Sequence, residues 1–248
     1  MTLYEWPRAA AFGRVIPKNK IYEHAGANTA LKATFVREVD QIVWSHKLAP
    51  ETVNVVATKQ VSEIQVFRIA ARTATLDQEV LSAIDKAIPF PLFFEVTNAG
   101  RVMVAAAYKR PSEANSSRFV LGNYFLSDWL PASGQRTAFP VALNMSKLYE
   151  RLLEPLVMQE ASSLVASVGE ILHPQLTPPI DDEPVSLAGR IAHIEAIKVQ
   201  AREVERIKSR LAREKQFNKR VGINAELRFA KQELHRLSTG QPAQPIQN

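Results

Sequence analysis

The spacing of apolar residues between positions 187 and 211 is the feature that most limits how this chain can fold. Apolar residues recur there at steps of three or four, at Leu187, Ile191, Ile194, Ile197, Ala201, Val204, Ile207 and Leu211. Steps that average about 3.5 are typical of a narrow coiled-coil seam, because a helix on a broad core carries extra apolar neighbours. The spacing therefore predicts a long helix, with Ser186 as its N-cap.

A second apolar stripe follows after a break at Glu214, Lys215 and Gln216, and it runs through Phe217, Val221, Leu227, Ala230, Leu234 and Leu237. The break is compatible with two helices or with one long helix that contains a stutter. From both stripes we predict a seam for a partner helix. Its residues are Leu187, Ile191, Ile194, Ala201, Val204, Leu211, Phe217, Val221, Leu227 and Leu234.

Positive charge is concentrated in this same part of the chain. Residues 186–237 contain 13 Lys and Arg but only 6 Glu, which leaves 18 basic and 19 acidic residues for all other positions. A basic helix suits phosphates or an acidic partner, although a solvated helical face has the same composition. The candidate nucleic-acid contacts are Arg210, Arg213, Lys215, Lys219, Arg220, Arg228 and Lys231.

The first 140 residues alternate between helical and strand patterns. We predict a helix over 29–49, strands in VNVVAT and EIQVFRIAAR, and a helix in TLDQEVLSAIDKAI that ends before Pro89. The runs PLFFEV and VMVAAAYKR flank the turn TNAGR as a hairpin, and FVLGNYFLSDWL is a further strand. This order predicts an α+β fold with a mostly antiparallel sheet and helices on one face, followed by a long helical, coiled-coil-like C-terminal region.

Five segments follow from these patterns. An α+β domain covers 1–140, and a connecting helix covers 141–173, in which Pro155 should introduce a kink or a split. A linker with four prolines covers 174–185, basic helices cover 186–237, and a polar tail that we expect to be disordered covers 238–248.

Several observations bear on the compartment. The chain has no cysteine, no apolar run of about eighteen residues and no N-terminal pattern of a secretory signal. We therefore expect a soluble cytoplasmic protein with no membrane partner.

The search for reactive groups is mostly negative. The nine glycines do not form a phosphate-binding loop, and the five histidines lack metal-ligand spacing. We predict no catalytic residue, cofactor or metal site. The nearest alternative is a cryptic metal-dependent nuclease that would need Glu63, Glu95 and Lys109 to converge. Otherwise, Glu63 and Lys109 are strand-end charges in solvent.

Stretches along most of the chain resemble one bacterial family. They include FGRVIPKNKIYEHAG, FVREVDQIVWSHKLAPETVNV, VSEIQVFRIAAR, AIDKAIPFPLFFEV, VAAAYKR and EKQFNKRVGINAELRFAKQEL. They are similar to the uncharacterised domain-of-unknown-function family 4391. The resemblance implies a gene encoded beside helicases and DNA methyltransferases of restriction or anti-phage defence systems, and it assigns no catalytic residues.

The seam spacing, the linker, the missing site motifs and the family resemblance together favour a non-catalytic accessory or assembly subunit. The resemblance implies that its system is a DNA-processing anti-phage defence system. Its expected partners are a helicase or methyltransferase of the same system, or a second copy bound through a coiled coil. The first alternative is a nucleic-acid-binding module of such a system, with DNA as ligand. The second is the nuclease described above.

Overall fold

The structure is a computed structural model that describes residues 3–112, 119–172 and 186–239. Its strands are β1 (Leu3–Tyr4), β2 (Ala11–Val15), β3 (Val39–Leu48), β4 (Ile64–Ala71), β5 (Leu92–Asn98), β6 (Arg101–Pro111), β7 (Phe119–Leu126), β8 (Leu130–Pro131) and β9 (Arg136–Thr137). Its helices are α1 (Lys18–Ala25), α2 (Thr29–Glu38), α3 (Pro50–Val53), α4 (Gln78–Ala87), α5 (Met145–Leu172), α6 (Leu187–Arg213) and α7 (Phe217–Thr239).

The chain divides into two compact units, Met1–Leu156 and Val157–Asn248, and α5 contributes residues to both. The first unit holds the sheet and the helices α1 to α4. The second unit holds the last part of α5 together with α6 and α7. The segment boundaries given above stay predictions.

The main sheet is mixed, which corrects the prediction of a mostly antiparallel sheet. Its strand order is β2-β3-β4-β5-β6-β7, with β8 added beside β6. Strands β4 and β5 are parallel, whereas the other pairs in this sheet are antiparallel. The reason lies in α4, since a helix between two neighbouring strands forms a crossover that returns the chain in the same direction.

Helices α1, α2 and α4 share one face of the sheet, as predicted for residues 1–140, whereas α5, which was predicted as a connecting helix, packs on the other face. On the first face, α2 and α4 pack on the sheet around Phe35, Phe67 and Phe94, which are 0 to 1% exposed. Burying each of these rings stabilises the fold by roughly 1.5–3 kcal/mol. On the second face, Tyr149 of α5 packs edge-on against Phe93, with ring centroids 6.0 Å apart. Since α5 begins at residue 145, its apolar residues close this face from a later part of the chain.

The predicted helix over 29–49 is wrong in its second half. Helix α2 ends at Glu38, and β3 begins at Val39. The buried residues of β3 fall three apart, at Val39, Ile42, Ser45 and Leu48. Two register irregularities in β3, between Val39 and Gln41 and between Trp44 and His46, shift the strand's inward positions. A strand with two bulges therefore imitates the spacing of a helix.

The predicted strand VNVVAT is also wrong. The short helix α3 ends at Val53, and its C-cap Asn54 has a φ of 52°, in the left-handed region that asparagine tolerates. Val56 is 71% exposed and makes only an isolated bridge to Asn144. The β-branched residues thus follow a helix end instead of forming a ladder.

Other predicted elements are confirmed. Strand β4 and helix α4 are present, and the Asp77 side chain caps α4 by accepting from the Glu79 N–H at 2.9 Å. The β5–β6 hairpin turns through Ala99 and Gly100, both with positive φ. Two successive residues with positive φ match the twist of paired strands in a tight hairpin.

In the second unit, α6 and α7 are separate helices. Of the two possibilities left open by the sequence, the structure therefore shows two helices and not one long helix with a stutter. The Ser186 side chain accepts from the Gly189 N–H at 3.1 Å, which confirms it as the N-cap of α6. Helix α5 continues past Pro155 without a split.

No helix in the described residues is long and apolar enough to cross a membrane. The predicted linker at 174–185 and positions 240–248 of the predicted tail lie outside the described residues.

Candidate nucleic-acid interface

Glu95, which the nuclease alternative requires, is a buried carboxylate on β5 with three hydrogen-bond donors. It is 1% exposed. The Trp6 indole N–H donates to it at 2.7 Å, Arg68 at 3.0 Å and Arg136 at 3.1 Å. Burial alone would raise the pKa of Glu95, but the hydrogen bonds from Trp6 and Arg68 and the charge of Arg136 hold it below its ordinary value.

Lys109 on β6 is equally enclosed, which corrects its alternative reading as a strand-end charge in solvent. Its side chain is 4% exposed, and its ammonium lies 3.1 Å from an Asp85 carboxylate oxygen. It also donates to the backbone carbonyls of Asp85, Ile88 and Phe90 at 2.6, 2.5 and 3.1 Å. The Tyr124 hydroxyl donates to the other Asp85 oxygen at 2.6 Å.

This ion pair resolves a conflict at the C-terminal end of α4. An acidic residue such as Asp85 is unfavourable in the last turn of a helix, because the free carbonyls there already carry negative partial charge. The Lys109 ammonium binds both the carboxylate and those carbonyls. Burial raises the pKa of Asp85 and lowers that of Lys109, while their mutual attraction opposes both shifts.

A bulge in β6 positions Lys109. The register between β6 and β7 shifts between Ala107 and Lys109. The buried hydroxyl of Tyr149 accepts from the Lys109 N–H and donates to the Ala107 carbonyl, both at 2.8 Å. The hydroxyl thus satisfies backbone groups that the irregular ladder leaves free.

The three residues of the nuclease alternative do not come together. Glu95 binds Trp6, whereas Lys109 binds Asp85 of α4, and these partners lie on opposite faces of the sheet. Glu63 lies immediately before β4 and pairs with Lys47 at 3.4 Å, and its side chain is 12% exposed. Within the described residues, no three His, Asp or Glu side chains could hold a metal ion together. The arrangement therefore gives no support to that alternative.

The candidate cations in α6 and α7 divide into two groups. Arg210 is already paired with Glu226. Several other cations of α6 have carboxylates nearby, for example Arg206 with Glu203 at 2.6 Å. Six candidates form no ion pair with any described residue: Arg213, Lys215, Lys219, Arg220, Arg228 and Lys231.

The predicted seam is partly filled by the chain itself. Leu187, Ile191, Ile194, Val204 and Leu234 are buried, and Ala201, Leu211 and Leu227 are partly buried against the α5–α6–α7 core. Phe217 and Val221 are instead 77% and 54% exposed. Helix α7 uses Ile223 as an inward position that the stripe did not include. Coiled-coil packing and a partner helix stay predictions.

One surface of α7, which we call the α7 face, combines cations with exposed apolar residues. At 3.6 residues per turn its members fall within an arc of about 100°. They are Phe217, Arg220, Val221, Asn224, Arg228 and Lys231. The two acidic residues of α7, Glu226 and Glu233, fall on the other side of the helix and pair with Arg210 and Arg236. The α7 face therefore carries unbalanced positive charge, with Phe217 at its N-terminal end.

Two buried clusters have thus been described, one around Glu95 and one formed by Lys109 and Asp85. The sequence patterns did not identify the partners of Glu95 and Lys109 in these clusters. Trp6 and Arg136 lie 89 and 41 residues from Glu95, and Asp85 lies 24 residues from Lys109. A signal was present in the acidic residue of the last turn of α4, which calls for a compensating cation. The residues near Asp85 in the sequence do not indicate which lysine or arginine provides this compensating charge.

A family model matches most of the chain. The matching model is described as Domain of unknown function (DUF4391), and it covers residues 5–234. The resemblance noted in the sequence is thereby confirmed at the level of the family, and the neighbouring genes stay a prediction. No curated protein and no solved structure matches the chain.

Proposed function

The chain belongs to the family described as Domain of unknown function (DUF4391), and we propose that it is an accessory subunit of a bacterial DNA-processing defence system. In this role it works in the cytoplasm beside a helicase or methyltransferase and supplies binding, with no reaction of its own. Its contact with nucleic acid is the α7 face.

The observation that carries this proposal is the set of unpaired cations on α7. Arg220, Arg228 and Lys231 have no carboxylate within ion-pair distance in the described part of the chain. Cations held on one helix face without internal partners are available to phosphates, and each phosphate contact releases counterions. The face from residue 217 to residue 231 spans roughly 21 Å, at about 1.5 Å per residue.

The exposed apolar residues on the same face favour single-stranded nucleic acid. Phe217, at 77% exposed, begins the face and lies one turn before Arg220. A duplex presents mainly phosphates to such a surface, so a phenylalanine there would gain little. An unstacked base can instead lie on the ring, which typically contributes about 1–3 kcal/mol per base. A helicase partner would generate strands of this kind.

The buried clusters support a binding role by a different route. Glu95 and Lys109 are reactive residue types, yet each is fully engaged inside the sheet unit. Their hydrogen-bond partners are other side chains and backbone carbonyls, so they act in the stability of the fold. The accessible charge of α7 is left as the best candidate for function.

Binding of single-stranded DNA should depend on the α7 face. We expect the double substitution Arg220→Glu and Arg228→Glu to weaken binding at least about tenfold, because two phosphate contacts become repulsive. The slope of log affinity against log salt should fall by about 1.4, at about 0.7 for each lost contact with a single strand. Fluorescence anisotropy with a labelled oligonucleotide, between about 50 and 200 mM salt, measures both quantities.

The matched control is Arg14→Glu with Lys59→Glu, which makes the same change in net charge at exposed positions of the first unit. It should change the affinity less than about twofold, because these positions lie off the α7 face. Phe217→Ser should weaken single-stranded binding more than duplex binding. Equal losses in the control and in the α7 variant, or no binding at low salt, would refute the proposed interface.

Assembly with a partner protein is tested separately. A tagged copy expressed together with the neighbouring helicase and methyltransferase genes should recover at least one of them. The lysate is treated with nuclease first, so that DNA cannot bridge the proteins. Phe229 is 68% exposed, and Phe229→Ser should lower the recovery if α7 also contacts the partner. Recovery of neither protein would contradict the accessory role while leaving DNA binding by α7 unaffected.

A further inference from the structure

A mainly apolar cavity opens in the first unit, and its wall includes Ile88 and Phe90, whose backbone carbonyls accept from Lys109. It lies between α1, the C-terminal end of α4 and the strands β3 and β4, and its volume is about 240 Å³. Ile16, Ile21, Trp44, Phe67, Ile88 and Phe90 form most of its wall. A cavity of about 150 Å³ is large enough for one benzene ring. This one therefore has room for a fused two-ring system.

Flat aromatic surfaces line one side of the cavity. The rings of Trp44 and Phe67 are stacked, with centroids 6.1 Å apart and planes 7° apart. Phe12 also contacts Trp44, with ring centroids 4.2 Å apart and planes tilted by 40°. Parallel rings fixed in this way favour a planar ligand over a branched aliphatic one, because offset stacking needs a flat partner.

Gln65 supplies a polar group to this apolar wall. It is 4% exposed, and its amide nitrogen donates to a Glu63 carboxylate oxygen at 2.5 Å. Since Glu63 accepts only, this bond fixes which end of the amide is the donor. The amide oxygen of Gln65 accepts no hydrogen bond from the described residues. A ligand that enters the cavity thus meets an oriented acceptor, which selects a ligand N–H group.

Two basic residue types stand at the rim of the cavity on the α1 side. Lys20 and His24 both line the cavity and lie one turn apart on α1. Lys20 pairs with Glu23 at 3.2 Å, but the side chains are 61% and 58% exposed. Such an exposed pair is weak, so the ammonium can turn toward an anion on the ligand.

We propose that this cavity binds an adenine nucleotide. The purine lies along Trp44, its exocyclic amino group donates to the amide oxygen of Gln65, and its phosphate lies near Lys20 and His24. The site is independent of the α7 face, since all its residues belong to the first unit.

Adenosine monophosphate and inosine monophosphate make the sharpest comparison, because inosine replaces the amino group by a carbonyl oxygen. The adenosine nucleotide should quench tryptophan fluorescence through Trp44. The inosine nucleotide should bind roughly tenfold more weakly, since two acceptors would face each other at Gln65. Unphosphorylated adenosine should bind more weakly than its monophosphate. Equal affinity for the two nucleotides, or no quenching at millimolar concentration, would overturn the assignment.

Three variants of the full chain separate binding from folding. Ala87→Leu places extra volume in the cavity and should abolish nucleotide binding, whereas Ala196→Leu, at an exposed position of α6, should not. Gln65→Met keeps the size of the side chain and should remove the preference for the adenosine nucleotide. The unfolding temperature and the DNA affinity of each variant are measured in parallel. Unchanged nucleotide binding by a folded Ala87→Leu protein would exclude this cavity as the site.

Discussion

Lys109→Met is expected to lower the free energy of unfolding by about 3–5 kcal/mol, the usual cost of removing one partner from a buried ion pair. The loss has two physical origins. Asp85 would keep a buried charge with Tyr124 as its remaining side-chain donor, and the carbonyls at the end of α4 would lose their cap. Urea unfolding followed by far-UV circular dichroism measures the change.

The neighbouring residue Lys86 provides the control, since it is exposed and belongs to the same turn of α4. Lys86→Met should change the stability by no more than about 0.5 kcal/mol. Replacing both partners, as in Asp85→Leu with Lys109→Met, should cost less than the sum of the two single substitutions. Equal effects of Lys109→Met and Lys86→Met would mean that the buried pair does not stabilise α4.

Glu95→Gln is expected to lower the free energy of unfolding by about 3 kcal/mol at neutral pH. The amide keeps the size of the side chain but loses the charge that attracts Arg68 and Arg136. Its nitrogen would also present a donor to groups that are themselves donors, including the Trp6 indole. Glu5→Gln, at an exposed position near the N-terminus, is the matched control and should leave the unfolding midpoint in place.

The effect of Glu95 should depend on pH with a definite sign. The folded protein holds the pKa of Glu95 below its ordinary value. At pH values between the ordinary pKa, about 4.3, and the lower pKa of the folded protein, the unfolded chain binds more protons than the folded one. The stabilising contribution is therefore complete above about pH 5 and declines as the pH falls through the folded pKa. The stability difference between wild type and Glu95→Gln should narrow in acid, and a constant difference would contradict this.

The sequence predicted well those elements whose signals are local. Helix α4 has its cap at Asp77 and prolines after its end, and the β5–β6 hairpin has its glycine turn. Both depend on residues a few positions apart. Apolar spacing likewise predicted the helical structure of α6 and α7, while it left open whether the break at Glu214 separates two helices.

The remaining features depend on contacts between distant residues. The bulges of β3 produced a false helical spacing, which also hid Trp44 as part of the cavity wall. Glu95 and Lys109 were singled out as charged residues on strands, yet their partners lie on other elements. A pattern in one stretch of sequence cannot reveal that two charges will be buried together, because burial is decided by the packed fold.

The cap that β6 provides for α4 also has a consequence for the order in which the sheet assembles. Helix α4 lies between the parallel strands β4 and β5, but its last turn is completed by Lys109, which comes later in the chain. The β5–β6 hairpin joins neighbouring segments through a two-residue turn and closes quickly, whereas the crossover must enclose a longer loop. We therefore expect the β5–β6 hairpin to form first. Lys109 would then already be in position to bind the C-terminal carbonyls of α4 when this helix packs on the sheet.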